Sequence, residues 1–413
     1  MTGAFAGSPW IPLSNHTPNR EDFYGAKSAT EEILEEKLRS VPLTRRDGRS
    51  LRDDCLVAGG GAVTPISVGW GVDRFEDYVD DKDGLQTVLQ DMNASEERLM
   101  YIDNSHRFEQ DYMNEQMGKF YGLERQAVDK WGEDGLTMVM LTLSASPFDS
   151  DGELVAPVDH LDSIMDSEYG SWRAVRTALG RAVGDREWEY ARIVEPHTPD
   201  KGNYATSGYC HVHVGVFVND PDSTLTESDF SGVMSSHVNN CDTAEESAHR
   251  VGSDAVSLTR YDSDDDGGMG AYLTAYLGEQ LETTVDDAPA FMKRYMATLW
   301  ASGRRRVSFS NGAQEWIRED YENRMTEEEK RAEEMREMFR FMFDESNWQM
   351  VGVEKTDENG DTEFIECDSD GSGSYMGVVC LPVPSGQSKI ADTDDPYDEI
   401  ALELHPELRP NRD

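Results

Sequence analysis

Tyr209-Cys-His-Val-His-Val-Gly-Val-Phe-Val218 decides how this chain reads. The run is apolar and rich in β-branched residues, which predicts a buried strand. His211 and His213 stand two residues apart within it. A strand turns residues i and i+2 to one face, roughly 7 Å apart. Two readings follow: two histidines on a wet face, or two imidazoles sharing a divalent ion. A second pattern, Tyr272-Leu-Thr-Ala-Tyr276, lies about sixty residues downstream. On a helix, tyrosines at i and i+4 present both hydroxyls on the same side. Alone, such a helix reads more simply as an amphipathic element with two aromatic core residues.

Working outward, Leu136-Thr-Met-Val-Met-Leu-Thr-Leu-Ser-Ala145 is a second buried-strand run, and Trp188 to Glu195 a third. An amphipathic helix is expected over Gly170–Ala182 between them. Pro199-Asp-Lys-Gly202 has turn chemistry, so the strand ending at Glu195 and the histidine strand should form a hairpin. That hairpin makes Glu195 a candidate third ligand beside His211 and His213, with His197 its rival; a plain surface glutamate is the alternative. Helices near Glu227–Asn239 and Thr243–Gly252, then a short strand over Asp254–Tyr261, complete the pattern. It predicts an α+β fold: a central antiparallel sheet with flanking helices, and the histidines on a middle strand.

Composition narrows the class. Formal net charge is −44 over 413 residues, and the pI is about 4.4. Eight Trp, sixteen Tyr and fourteen Phe argue against a disordered acidic chain. Acidic residues run along the whole length, as in a folded protein of a very salty cytoplasm. Such a charge ordinarily opposes nucleic-acid binding. In molar salt, however, the Debye length falls to about 3 Å and only local contacts decide. Five widely spaced cysteines without a C-x-x-C pair suit a reducing cytoplasm and exclude a disulfide framework. No apolar run predicts a membrane span, the N-terminus shows no signal peptide, and no P-loop predicts a nucleotide cofactor.

The flanks are less telling. A helix is expected near Ala29–Ser40, a short strand over Val63–Val68 followed by a turn at Gly69-Trp-Gly71, and a helical region from Asn93 to about Gly132, where Asn93 and Glu96 read as a capping box. Asp262 to Gly267 resembles the opening of a calcium loop, but its twelfth position would be Leu273, so the match fails. Beyond it a helix is expected from Pro289 to Ser302, then Arg304, Arg305 and Arg306, the densest positive charge and candidate phosphate contacts. A long charged helix over Gln314–Asp344 and a hairpin turn at Glu358-Asn-Gly-Asp361 follow. The expected division is 1–132, partly helical; 133–310, catalytic; 311–390, helix and hairpin; and 391–413, a loose acidic tail. His16, His106, His160, His237, His249 and His405 form no ligand spacing and read as structural or solvated.

Taken in chain order, the strand with Leu141-Thr-Leu-Ser144, the strand ending at Glu195-Pro196, His211-Val-His213 and Tyr272-Leu-Thr-Ala-Tyr276 resemble the rolling-circle replication initiators (Rep proteins) of the His-hydrophobe-His endonuclease superfamily. The closest look is to those of haloarchaeal plasmids and small haloarchaeal viruses. The motifs span about 140 to 310. The resemblance implies a metal-dependent endonuclease and strand transferase acting on single-stranded or extruded origin DNA. Tyr272 and Tyr276 would be its nucleophiles, and Mn²⁺ or Mg²⁺ would be held by His211, His213 and one more side chain. Thr142 and Ser144 would support the site. A host helicase and polymerase are the implied partners. Many paired-tyrosine relatives carry a lysine before the second tyrosine; here it is Ala275. Relaxases and transposases share the mechanism. Outside that superfamily stand a water-using phosphodiesterase and an acidic scaffold protein.

Overall fold

A computed structural model describes residues 29–46, 51–59, 62–91, 99–103, 106–166, 170–197, 208–261, 285, 287–324, 348–356, 362–366, 374–375 and 378–379. In chain order the elements are α1 (Ala29–Ser40), β1 (Leu56–Gly59), β2 (Ala62–Pro65), α2 (Val68–Lys82), β3 (Leu85–Asp91), β4 (Leu99–Asp103) and α3 (Gln110–Trp131). Then come β5 (Leu136–Leu143), α4 (Pro157–Met165), α5 (Trp172–Val183), β6 (Trp188–Pro196), β7 (Cys210–Asn219), α6 (Ser231–Asn240) and β8 (Val256–Arg260). Last are α7 (Ala290–Ser302), β9 (Val307–Phe309), α8 (Asn311–Arg324), β10 (Trp348–Thr356) and β11 (Thr362–Glu366), with a two-residue pair at 374–375 and 378–379. Among the described residues no helix is long and apolar enough to cross a membrane.

The chain forms two compact units, each discontinuous in sequence: Met1–Glu76 with Phe108–Asp320, and Asp77–Arg107 with Tyr321–Asp413. The second unit is built on an antiparallel sheet in the order β11-β10-β3-β4. The first holds the five-stranded sheet, β8-β5-β7-β6-β9, antiparallel throughout. The expected α+β class with a central antiparallel sheet is therefore what the chain adopts, with the histidine strand β7 in the middle.

Both faces of that sheet are covered, which is why β7 is apolar almost end to end. Val212, Val214, Val216 and Val218 pack on one side against α4 to α7, including Leu161, Val175, Leu179, Val233 and Leu299. On the other side Met138, Met140, Ile193 and Phe217 meet α3 and α8 through Met113, Phe120, Leu123 and Ala313. The apolar residues of α5, Trp172, Val175, Ala178, Leu179 and Val183, recur at helical spacing and form one buried stripe. Pro157 opens α4, where its missing N–H removes no helical bond.

Several local expectations are corrected. Gly69-Trp-Gly71 lies inside α2 instead of a turn. The region read as one helix from Asn93 contains strand β4 and then α3, which starts at Gln110; Asn93 and Glu96 lie outside the described residues. Residues 243–252 contain only a 3-10 turn, Glu246–His249. The long helix is described as α8 to Arg324, and the rest of its span, the 358–361 turn and the 391–413 tail lie outside the described residues. The strands on either side of that turn do pair, Thr356 with Thr362.

Candidate metal centre

Register builds the site. Across the β6–β7 ladder Glu195 faces His211, and across the β5–β7 ladder Thr142 faces His213. Directly opposed residues project to the same face. Three strands therefore deliver Glu195, His211, His213 and Thr142 to one end of the sheet. Entry to β7 is set by Gly208, whose φ of +85° suits glycine, and where a Cβ would lie 2.7 Å from the carbonyl oxygen of Phe291. His197 and Tyr209 continue the ladder beyond the strand ends: the His197 N–H donates to the Tyr209 carbonyl at 2.6 Å.

Nε2 of His213 lies 3.3 Å from Glu195 Oε2, and Nε2 of His211 lies 3.6 Å from it. The two Nε2 atoms are 2.9 Å apart. One ligand atom from each of the three residues falls within 4.8 Å of the others. Glu195 and His213 are buried, and His211 is half-buried. Thr142 Oγ1 sits 3.1 Å from His213 Nδ1. With the Nδ1 proton donated to that hydroxyl, Nε2 keeps its lone pair for the cluster, the usual way a ligand imidazole is oriented.

Burial pushes the Glu195 carboxyl up, but attraction to His213 and hydrogen bonds from both imidazoles outweigh it and hold the pKa at about 2. Burial drives His211 the other way, toward neutrality, against the pull of Glu195. The ionised carboxylate is thus held by the two imidazoles, of which His211 resists carrying charge. Glu195 Oε1 and His211 Nδ1 are also buried without hydrogen-bond partners among the described residues. An unpaired buried carboxylate oxygen costs about 1–3 kcal/mol or more. Two imidazole nitrogens and a carboxylate around one point are a donor set that fits a divalent transition ion, so these residues could hold a metal.

His197, the rival ligand, lies against His211 with ring centroids 4.8 Å apart and planes tilted by 36°, and is not one of the three converging donors. Burial, then repulsion from His211 and its neighbours, lowers its pKa to about 3. Tyr272 and Tyr276 lie outside the described residues. Two other tyrosines stand near the site. Tyr209 donates its hydroxyl to the Val155 carbonyl at 2.6 Å, and Tyr295 donates to the Val194 carbonyl. Burial raises both phenols well above the ordinary range.

Of the three arginines, Arg304 is engaged by the buried Asp162, at 2.9 Å, and by Asp166. Arg306 lies with its guanidinium carbon 5.8 Å from the centroid of the Tyr295 ring. Arg305 is exposed. Ser144 is held by two histidines that form no recognisable spacing in the sequence: its N–H donates to His249 Nε2 at 3.2 Å, and its carbonyl accepts from His237 Nε2 at 2.9 Å.

Fold and site define an α+β protein whose central sheet carries a buried His-Glu cluster able to hold a metal ion. The family follows from comparison: the model described as "Putative rep protein (DUF1424)" matches residues 43–376, and the chain belongs to that family. It is 35% identical over 353 residues to an "Uncharacterized 36 kDa protein" of Halobacterium salinarum, covering 83% of this chain and 100% of the relative. A second relative, of Halobacterium sp. (strain GN101) and described in the same words, is 33% identical over 331 residues, 78% of this chain and 92% of its own length. No solved structure matches the chain.

Proposed function

We propose that this chain starts rolling-circle replication by nicking and rejoining single-stranded or extruded origin DNA through a tyrosine–5′-phosphate intermediate. The observation that carries the reading is the convergence of His211, His213 and Glu195 around one point, with Glu195 Oε1 left unpaired. His211, His213 and Glu195 would hold Mn²⁺ or Mg²⁺, Mn²⁺ being the better match to imidazole. When bound, the ion would withdraw charge from the phosphate oxygens. A tyrosine hydroxyl gives up its proton as its oxygen bonds to the scissile phosphorus, the bond to the 3′-oxygen breaks, and that oxygen takes up a proton. The free 3′-hydroxyl can prime synthesis. In rejoining, a 3′-hydroxyl attacks the phosphotyrosine and releases the phenol. Tyr272 and Tyr276 are assigned this role, one for each of two successive transfers. Tyr209 and Tyr295 are unsuited, because both hydroxyls are buried on backbone carbonyls. Arg305, with Arg304 and Arg306 beside it, is assigned to phosphate contact. A host helicase and polymerase would extend the nicked strand.

The test is cleavage of single-stranded origin DNA in concentrated KCl with Mn²⁺, resolved on denaturing gels. A covalent 5′ adduct is expected, absent from Tyr272→Phe/Tyr276→Phe and from His211→Ala. Cleavage without an adduct would instead establish a water-using phosphodiesterase. A folded protein that cuts nothing, across several origins and metals, would leave the scaffold reading.

A further inference from the structure

Helices α5 and α6 depart from the charge pattern of the rest of the chain. They pack against each other on the sheet face opposite the His-Glu cluster. At the chain's overall density of 82 acidic residues in 413, these 22 helical residues would carry about four. They carry none. Burial explains the same absence in α7, most of which is buried, but not here. The outward positions of α5 are Arg173, Arg176, Thr177 and Arg181, and those of α6 include Ser235 and Asn239, all exposed. None of these three arginines forms an ion pair within the described structure. By contrast α2 holds Asp73, Glu76, Asp77, Asp80 and Asp81 in fifteen residues.

A further cation lies beneath. Arg192 on β6 stacks on Trp172, its guanidinium carbon 4.1 Å from the ring centroid, and donates to Ser308 Oγ at 3.1 Å. No carboxylate pairs with it among the described residues. Burial, together with repulsion from Arg304 and Arg176, lowers its pKa to about 10, with Tyr190 acting against them. Arg192 is thus held by stacking and a hydroxyl, and its charge adds to that of α5.

We propose that the outer face of α5 and α6 binds the phosphate backbone of duplex DNA, separately from the single-stranded substrate at the metal face. The proposal rests on the reading of the chain as a DNA-nicking initiator. Arginine with small hydroxyl and amide side chains is the composition that positions a protein on phosphates. Arg173 to Arg181 spans about 12 Å of helix, close to the width of the major groove between its two phosphate rows. A protein partner fits less well, because interfaces centre on buried aromatic or aliphatic anchors. The exposed large hydrophobic residues of the described structure, Val57, Trp70, Tyr121, Tyr321 and Phe364, all lie elsewhere.

The experiment titrates the full chain into a fluorescein-labelled double-stranded oligonucleotide of mixed sequence, across a series of KCl concentrations, and reads anisotropy. Arg173→Gln/Arg176→Gln/Arg181→Gln should weaken binding at least about tenfold and flatten the log–log salt slope by up to about 2.7. The corresponding triple lysine variant should restore binding, since the contact needs charge more than geometry. Nicking of a short single-stranded origin oligonucleotide should be unchanged in both. Wild-type binding that is absent, or identical in the glutamine variant, overturns the proposal. So does a glutamine variant that loses self-association in sedimentation while keeping its DNA affinity, which would make the face a contact with a second copy. If the wild type binds duplex through these arginines but nicks nothing, the surface stands and the nicking reading falls.

Discussion

Two histidine pairs sit beside the same strand, β5, in rather similar ring geometry. His211 and His213 have centroids 4.7 Å apart, and His237 and His249 have theirs 4.6 Å apart. All but the half-buried His211 are buried. They differ in where their nitrogens point. His237 joins the Ser144 carbonyl to the Ser171 hydroxyl, and His249 joins the Glu245 carbonyl to the Ser144 N–H. Every ring nitrogen of that pair has a partner, and among the described residues no carboxylate converges on it. In the other pair a carboxylate oxygen meets both Nε2 atoms; Thr142 satisfies His213 Nδ1, while Glu195 Oε1 and His211 Nδ1 have no partner among the described residues. Proximity of two imidazoles is thus no sign of a metal centre. Convergence with unfilled bonding capacity is.

The contrast breaks most visibly under ligand removal. Glu195→Ala or His211→Ala should weaken Mn²⁺ binding, read by calorimetry, by more than about 100-fold, since even outer partners of a ligand are worth 10–100-fold. His237→Ala and His249→Ala should leave it unchanged. Equal losses in both pairs would sink the distinction. Next in size is stability. His237→Ala removes a fully buried ring and strands the Ser171 hydroxyl and the Ser144 carbonyl, so urea unfolding at fixed KCl should show a loss of about 2–4 kcal/mol. A change under about 0.5 kcal/mol would mean the pair bears no structural weight.

Acid should test the structural pair too. Burial lowers His237 from 6.5 to about 4, and lowers His249 as well. A histidine that is harder to protonate when folded favours folding above its unfolded pKa. That contribution is therefore complete above pH 6.5 and is lost as pH falls from 6.5 through 4. For His237 the total is at most about 3 kcal/mol. Unfolding free energies for wild type and His237→Gln should converge over that window, and parallel curves would refute the assignment. The smallest effect belongs to Thr142→Val, which removes the partner of His213 Nδ1 and should weaken metal binding about tenfold. No change would show that the ring is oriented by packing alone.

The sequence carried the sheet further than the flanks. β5, β6 and β7 were legible because strands of a sheet covered on both faces are apolar on both; the β6–β7 pairing was expected from the turn chemistry of Pro199 to Gly202, which lies outside the described residues. Glu195 could be proposed because the end of one hairpin strand meets the start of the other. Thr142 was legible only through the resemblance, since its distance from His213 in sequence says nothing of their shared register. The roles of His237 and His249 were hidden for the same reason: their partners are mostly backbone atoms and hydroxyls, which leave no spacing. Strand β3 was missed because Leu85-Gln-Thr-Val-Leu-Gln-Asp91 alternates only weakly and owes its pairing to residues 348–355. The helical region expected from Asn93 to about Gly132 holds only from Gln110, because Leu99–Asp103 pairs as an edge strand.

Gln86 and Glu354 face each other across 268 residues of sequence. At ordinary synthesis rates of 5–20 residues per second, β3 leaves the ribosome roughly 10–50 s before its partner exists. Through that interval the β3–β4 hairpin carries an open strand edge, the kind of surface on which nascent chains stick together. Asp80, Asp81, Asp83, Asp91 and Asp103 lie beside or at the ends of those two strands. These carboxylates set like charges around the edge that stays open until the strand that covers it is made, the arrangement that opposes pairing between chains.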